Sequence, residues 1–261
     1  MRRTSRRRAR FHKIERSLSS PIHSTPKTAI VLAAGLGTRM RPLTDRWPKA
    51  LVKVSGRPLI DHALDRLAAA DVSSVVVNLH HFADQLETHL ASRKRPRVIF
   101  SDERKQILGT GGGIAKALLQ LGAAPFFLLN SDSMWLEGAT PNLARLARAF
   151  DPGRMDTLLL LSPAAATVGY DGNGDYFMGA RSRLRRQTGD EKAPFIYAGA
   201  AILSPTLFEG APGGAFPLTP LFDRAQEEGR LYGLAMEGLF LHVGTPEAIS
   251  AAEEAVRRSR A

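Results

Sequence analysis

Thr28-Ala29-Ile30-Val31-Leu32-Ala33-Ala34-Gly35-Leu36-Gly37-Thr38-Arg39-Met40-Arg41-Pro42-Leu43-Thr44 reads as a short apolar, β-branched strand that empties into a glycine-rich loop. A loop in that place lies at the carboxyl edge of a sheet, where open α/β folds bind ligands. Small residues at 33, 34, 35 and 37 let backbone N–H groups close around phosphate oxygens with no Cβ in the way. Arg39 supplies a fixed fork of donors for the same phosphates. Neither G-x-x-x-x-G-K-[ST] nor G-x-G-x-x-G is present, which argues against a Walker-type kinase and against a dinucleotide-dependent dehydrogenase.

Outward from this loop the chain alternates. Helical periodicity over 59–70, 82–91 and 114–121 is interleaved with apolar strand runs at 75–78, 98–100 and 126–129. A further helix over 141–150 and a strand at 157–161 continue the theme. Strand then helix, repeated, predicts a Rossmann-like, mostly parallel sheet with helices on both faces, an α/β fold. Between 168 and 203 glycines at 169, 172, 174 and 179 break up short runs (176–178, 195–203) that read as an added antiparallel β layer, suited to a second substrate wall. The chain closes with helices at 218–228 and from 246 to about 257, separated by apolar runs at 231–236 and 239–243.

The composition is that of a globular protein, with 44% hydrophobic residues and no cysteine. Disulfides, cysteine-ligated zinc and thiol catalysis are thereby excluded, and a cytoplasmic location is the default expectation. The apolar runs are far shorter than the roughly 20 residues that cross a bilayer, so no membrane partner is expected. The net charge of +11 is concentrated at the start: residues 1–27 carry +8, which leaves +3 for residues 28–261. Two units are therefore expected, a basic N-terminal extension (1–27) and one catalytic domain (28–261). The confinement of the charge argues against nucleic acid as the partner of that domain.

Three further segments carry chemistry. Pro48-Lys49-Ala50-Leu51 follows the glycine loop, Leu108-Gly109-Thr110-Gly111-Gly112-Gly113 opens a helix, and Asn130-Ser131-Asp132 ends an apolar strand. An aspartate at the carboxyl end of a buried strand is costly unless it meets a cation, so Asp132 reads as a Mg²⁺ ligand. The long phrase from Leu32 to Thr44, with Pro48-Lys49 and Gly56-Arg57-Pro58-Leu59, resembles the signature of the sugar-1-phosphate nucleotidyltransferases, and the likeness runs over essentially residues 28–257. It implies the nucleotidyltransferase fold, with Leu32, Ala33, Ala34, Gly35, Gly37 and Thr38 around a triphosphate, Arg39 at the leaving pyrophosphate and Lys49 neutralising phosphates. Glu103, Gly109, Thr110 and Gly111 are implied at the nucleobase, Glu103 as a reader of a base edge. Gly169, Asp175, Lys192, Tyr197 and Gly199 fall in runs that resemble the family's sugar-binding strands, Lys192 as the candidate to meet the sugar's phosphate.

The second metal ligand of that family usually stands in a D-x-G-T element. Here the run reads Leu241-His242-Val243-Gly244-Thr245, with His242 in place of an aspartate; it is either a metal ligand, for which Mn²⁺ becomes an option beside Mg²⁺, or a structural residue. Within the family, Thr110–Ile114, Gly174-Asp175-Tyr176 and Gly214-Ala215-Phe216 most resemble the N-acetylmuramate-1-phosphate uridylyltransferases of cell-wall recycling. The expected reaction joins a nucleoside triphosphate, UTP, to a sugar 1-phosphate with release of pyrophosphate. The alternatives are an enzyme like the mannose-1-phosphate guanylyltransferases, a binding regulator that has lost turnover, and a nucleic-acid binder using the arginine arm. The sequence leaves the oligomeric state open. Because residues 1–26 are polar, charged and without core periodicity, deleting them is expected to leave turnover and melting temperature nearly unchanged. A large loss of either, by activity assay or thermal melt, would show that the arm docks on the domain.

Overall fold

The computed structural model describes residues 25–259. All but the last three residues of the basic extension expected from the sequence lie outside that range. The chain then alternates through β1 (Thr28–Leu32), β2 (Lys53–Val54), β3 (Arg57–Pro58), α1 (Leu59–Ala69), β4 (Ser74–Leu79), α2 (Ala83–Leu90), β5 (Arg97–Asp102), α3 (Gly109–Leu121) and β6 (Phe126–Asn130). There follow β7 (Ser133–Glu137), α4 (Asn142–Ala149), β8 (Thr157–Pro163), β9 (Tyr176–Met178), β10 (Leu184–Arg186) and β11 (Phe195–Leu203). The chain ends through α5 (Thr219–Glu227), β12 (Leu231–Ala235), β13 (Gly238–His242) and α6 (Pro246–Arg258).

The main sheet runs β12-β8-β11-β6-β1-β4-β5. Strands β6, β1, β4 and β5 are parallel, as the alternation of strands and helices predicts. Period-2 alternation along each strand divides the core. Ala29, Val31, Phe127 and Leu129 face a cluster with Leu64 of α1, Leu86 of α2 and Leu146 of α4. Ile30, Phe126 and Leu128 face the opposite cluster with Ile114 of α3 and Phe222 of α5. Helix α1 buries Leu59, Ile60, Ala63, Leu64 and Leu67, an i, i+4, i+8 stripe, and each such leucine contributes about 1.5–3 kcal/mol of burial. The helix stops where Asp71 takes a left-handed φ of 60°.

Strand β11 departs from the simple pattern. It lies antiparallel between β6 and β8, and its amino end runs past the last residue of β6. There β9 takes over the edge, with Tyr176 opposite Phe195, and β10 pairs with β9. The added antiparallel layer therefore rises from the carboxyl edge of the sheet, beside the glycine loop. A separate ribbon pairs β7 with β13 and sets Ser133 opposite His242. The sequence reading does not anticipate β7, because no turn residue separates it from Asp132.

The register of β11 against β8 shifts between Tyr197 and Ala201, and Gly199 inside the shift has φ +69°. A Cβ there would clash with Ser133 Oγ and lie 3.0 Å from Asn130 Nδ2. The position combines a left-handed backbone with a filled neighbourhood, so Gly199→Ala is expected to lower the unfolding free energy by about 3 kcal/mol. Gly213 has open space at its Cβ, and Gly213→Ala should stay within about 0.5 kcal/mol. Urea denaturation of the two variants checks the contrast.

Candidate active site

At the carboxyl edge the loop after β1 turns back over the sheet. Ala33 N–H donates to Asn78 Oδ1 at 2.7 Å, which fixes the start of the loop on β4. The N–H groups of Ala34, Gly35, Leu36 and Gly37 have no hydrogen-bond partner among the described residues. Thr44 Oγ1 donates to Gly37 O at 2.8 Å and Met40 N–H donates to the same oxygen at 2.9 Å. The loop is thus closed on itself while its donors stay available to an anion. Leu32, Ala33, Ala34, Gly35, Gly37, Arg39 and Lys49 line one lobe of a cleft, of about 450 Å³. Thr38 is exposed beside this lobe and does not line it.

The floor of the lobe is Asn130-Ser131-Asp132 at the end of β6. Lys49 Nζ meets Asp132 Oδ2 at 2.6 Å, with the lysine side chain 15% exposed and the aspartate 32%. This pairing meets the requirement that a partly buried carboxylate be matched by charge. The ribbon of β7 and β13 brings His242 to the same end, where Asp132, Arg39, Lys49 and Asp175 all act on its ring. Burial holds that imidazole below its ordinary pKa, with Asp132 pulling the other way. Tyr170 and Phe240 pack edge-on against it at 5.7 and 6.3 Å. No group of three or more His, Cys, Asp or Glu side chains among the described residues could enclose a metal ion. A Mg²⁺ shared between substrate phosphates and one or two carboxylates needs no such enclosure. Asp132 fits that role, whereas the His242 imidazole is a poor match for so hard a cation.

Glu103, expected to read a base edge, lines the same lobe, but its side chain is held from within the protein. It is 2% exposed; its Oε1 accepts from Asn78 Nδ2 at 2.8 Å and its Oε2 from Leu108 N–H at 3.1 Å. Both oxygens are engaged inside the protein, and the residue ties β4 and β5 to the start of α3. The glycines of α3 also serve a different purpose from the one expected. A Cβ on Gly111 would run into the Phe216 ring, and Gly111 and Gly112 N–H both donate to Phe216 O. Close packing of the 214–217 segment requires small residues there. Gly109 and Thr110, in the first helical turn, keep N–H groups without such partners, and both line the cleft.

Leu32, Thr110 and Asn130 are common to this lobe and to a second one of about 390 Å³, so the two are continuous. Asp175, Tyr176 and Tyr197 line the second lobe with Arg186, Gln187, Leu218, Thr219 and Phe222. Asp175 Oδ2 accepts from Tyr197 N–H at 2.8 Å. Burial pushes the Asp175 carboxyl above its ordinary pKa against that hydrogen bond. Burial likewise pushes the Tyr197 phenol up, and its hydroxyl has no hydrogen-bond partner among the described residues. Three of the residues implied at the sugar do not reach the lobe. Lys192 is exposed on the connection before β11. Gly169 packs against His242, where a Cβ would lie 3.0 Å from the His242 carbonyl oxygen, and Gly199 lies behind Asn130.

Residues that the sequence reading passes over are Asn78, Arg186, Gln187 and Thr219. A carboxamide one residue from the end of the apolar run of β4 is the same signal that marks Asp132, and it identifies Asn78. Arg186 lies hidden in an arginine-rich stretch that reads as an exposed turn.

A model of the MobA-like NTP transferase domain matches residues 29–201. The chain is 50% identical over 232 residues to the N-acetylmuramate alpha-1-phosphate uridylyltransferase of Caulobacter vibrioides, covering 87% of this chain and 96% of that protein. The protein of the same name from Neisseria meningitidis serogroup B is 32% identical over 220 residues, 83% of this chain and 93% of its own length. Among solved structures, a UDP-glucose pyrophosphorylase complexed with UDP-glucose superposes with a TM-score of 0.72 over 90% of this chain and 99% of its own, a likeness of fold at 18% identity. With the glycine loop, the lysine–aspartate floor and the two-lobed cleft on one sheet edge, and with relatives matched over nearly their whole length, the chain belongs to the sugar-1-phosphate nucleotidyltransferase family, in the MobA-like NTP transferase group.

Proposed function

We propose that residues 28–261 transfer the UMP group of UTP to N-acetylmuramate 1-phosphate and release pyrophosphate, in the cytoplasm and in the service of cell-wall sugar recycling. The observation that carries this reading is the continuity of the two lobes: a phosphate-binding loop and a sugar-sized chamber meet at Asn130. The match to uridylyltransferases of that specificity over 96% and 93% of their lengths supports the choice of substrates. No helix among the described residues is long and apolar enough to cross a membrane.

In this reading the triphosphate lies along the free N–H groups of Ala34 to Gly37, with Arg39 at the β- and γ-phosphates. A phosphate oxygen of the sugar 1-phosphate attacks the α-phosphorus, the bond to the β-phosphate oxygen breaks, and pyrophosphate leaves in line with the attack. The protein contributes position and charge, with no covalent intermediate. Lys49 neutralises charge at the α-phosphate, and its pairing with Asp132 fixes where its ammonium sits. A divalent cation, Mg²⁺ or Mn²⁺, would be held by Asp132 and the phosphates and would offset their negative charge. The free N–H groups of Gly109 and Thr110 are the donors available to the carbonyl oxygens of a pyrimidine. Asp175 accepts from sugar hydroxyls in the second lobe.

Asp132→Asn is expected to lower kcat at least about 100-fold while the melting temperature stays within a few degrees, because the strand ahead of it remains packed. A near-normal rate at saturating Mg²⁺ would remove Asp132 from the metal site. Pyrophosphate release measured for four nucleoside triphosphates against several sugar 1-phosphates is expected to favour UTP with the muramyl substrate. The margin over GTP with mannose 1-phosphate should be on the order of a hundredfold in kcat/KM, since a site that hydrogen-bonds one base edge leaves its own groups unpaired when a wrong base enters. The reverse order would overturn the substrates and leave the reaction class standing.

A further inference from the structure

Arg186 is a cation in the cleft that the transfer chemistry does not use. It ends β10, lines the second lobe beside Gln187, and is held from behind by α5. Asp223 accepts from Arg186 Nε at 2.6 Å and from Nη2 at 2.8 Å, and Gln226 Oε1 accepts from the Arg186 backbone N–H. One helix therefore fixes both the strand end and the guanidinium. This pairing raises the arginine's pKa further, so the group is a permanent cation. A guanidinium has five N–H donors, and a carboxylate on Nε and Nη2 leaves the opposite edge for a second acceptor. Nη1 has no partner among the described residues.

A second observation lies in the same lobe. Tyr197 lines it, its hydroxyl is buried and has no hydrogen-bond partner among the described residues, and its ring is braced edge-on at 6.4 Å by Phe222, from the helix that also carries Asp223. A buried hydroxyl without a partner in a folded protein calls for an explanation, and a polar group of a bound ligand supplies one. The phosphates of both substrates have cations of their own in the first lobe, Arg39 and Lys49. A fixed guanidinium at the far wall is one more cation than two phosphorylated substrates require.

We propose that Arg186 reads a second anion on the acceptor, a carboxylate carried by the sugar itself, and that the Tyr197 hydroxyl pairs with a polar group of the same sugar. The inference rests on the substrate reading above. N-acetylmuramate differs from N-acetylglucosamine by one lactyl ether, which ends in a carboxylate. The Arg186 fork, rather than the phosphate machinery, is then what separates the two sugars.

The test compares kcat/KM, with UTP, for N-acetylmuramate 1-phosphate and N-acetylglucosamine 1-phosphate. The wild-type protein is expected to prefer the muramyl substrate. In Arg186→Gln the ratio of the two values should fall about 10- to 100-fold, through KM for the muramyl substrate. Arg186→Lys can keep a contact with Asp223 but offers no planar fork. Should the glutamine variant fail to fold, the lysine variant must itself lower the ratio at least about fivefold. A wild-type preference that survives in whichever variant folds overturns this inference alone. A wild-type protein indifferent to the lactyl group overturns both this inference and the acceptor assignment.

Discussion

The carboxamide of Asn78 carries the geometry of the first lobe. It is 3% exposed at the end of β4; its oxygen accepts from Ala33 N–H and its nitrogen donates to Glu103, which in turn accepts from Leu108 N–H. The glycine loop after β1 is thereby set at a fixed separation from a stretch about seventy residues further on, the end of β5 with the start of α3. The Asn78 bonds join buried groups that water cannot serve in exchange, and losing one partner strands the other at a cost of about 1–3 kcal/mol. Gly113 is part of the same fit, since a Cβ there would meet Glu103 Oε1 at 2.8 Å and Asn78 Nδ2 at 2.9 Å.

The second constraint is the reach of β11. Four parallel strands end at one edge, and a loop alone could not hold a sugar-sized wall above that edge. An antiparallel strand longer than its neighbour β6 extends the hydrogen-bonded ladder past the end of β6 and offers a fresh edge to β9. Tyr197 lies on this overhang, and the Asp175 carboxylate that precedes β9 accepts its N–H, so both inherit the rigidity of the sheet. The bulge at Gly199 bends the strand where it passes Asn130 and Ser133. Beneath it, the β7–β13 ribbon aligns His242 with Ser133, the residue that follows Asp132.

What the sequence discloses is what lies close together along the chain. The glycine loop, Arg39, Lys49 and the strand-terminal Asp132 sit within two short segments; the loop and Asp132 are marked by their positions at strand ends, Arg39 by its fork of donors beside the loop, and Lys49 by the family resemblance. What stays hidden depends on partners distant in sequence. Glu103 is legible as a base reader, and only the folded placement of Asn78 and Leu108 shows that each of its oxygens already holds a protein donor. Gly111 and Gly112 have the pattern of a ligand-facing turn, yet the group pressed against them is the 214–217 segment, about a hundred residues on. Lys192 stands out for its charge, but it is exposed on its connection and away from the cleft. Arg186 stands in a charged stretch that runs from Arg181 to Glu191, and in sequence nothing separates it from its exposed neighbours. Its distinction comes from Asp223, a helix residue far along the chain that holds its guanidinium against the second lobe.

The clasp between α3 and the 214–219 segment explains how two lobes built on different parts of the chain keep one alignment. Phe216 O takes the N–H groups of Gly111 and Gly112, Phe216 N–H donates back to Leu108 O, and Leu218 N–H donates to Thr110 Oγ1. The first turn of a helix has N–H groups with no intrahelical partner, and here two of them bind protein while the two nearest the cleft remain open. Thr110 lines both lobes, and Leu218 and Thr219 line the second. The same few hydrogen bonds that close the helix end therefore join the wall of the first lobe to the helix α5 that steadies Arg186. A side chain at 111 would separate them by displacing the Phe216 ring. The glycine run is thus a packing requirement at the junction of the lobes, and through that junction the first turn of α3 and the wall that carries Arg186 are held in one register.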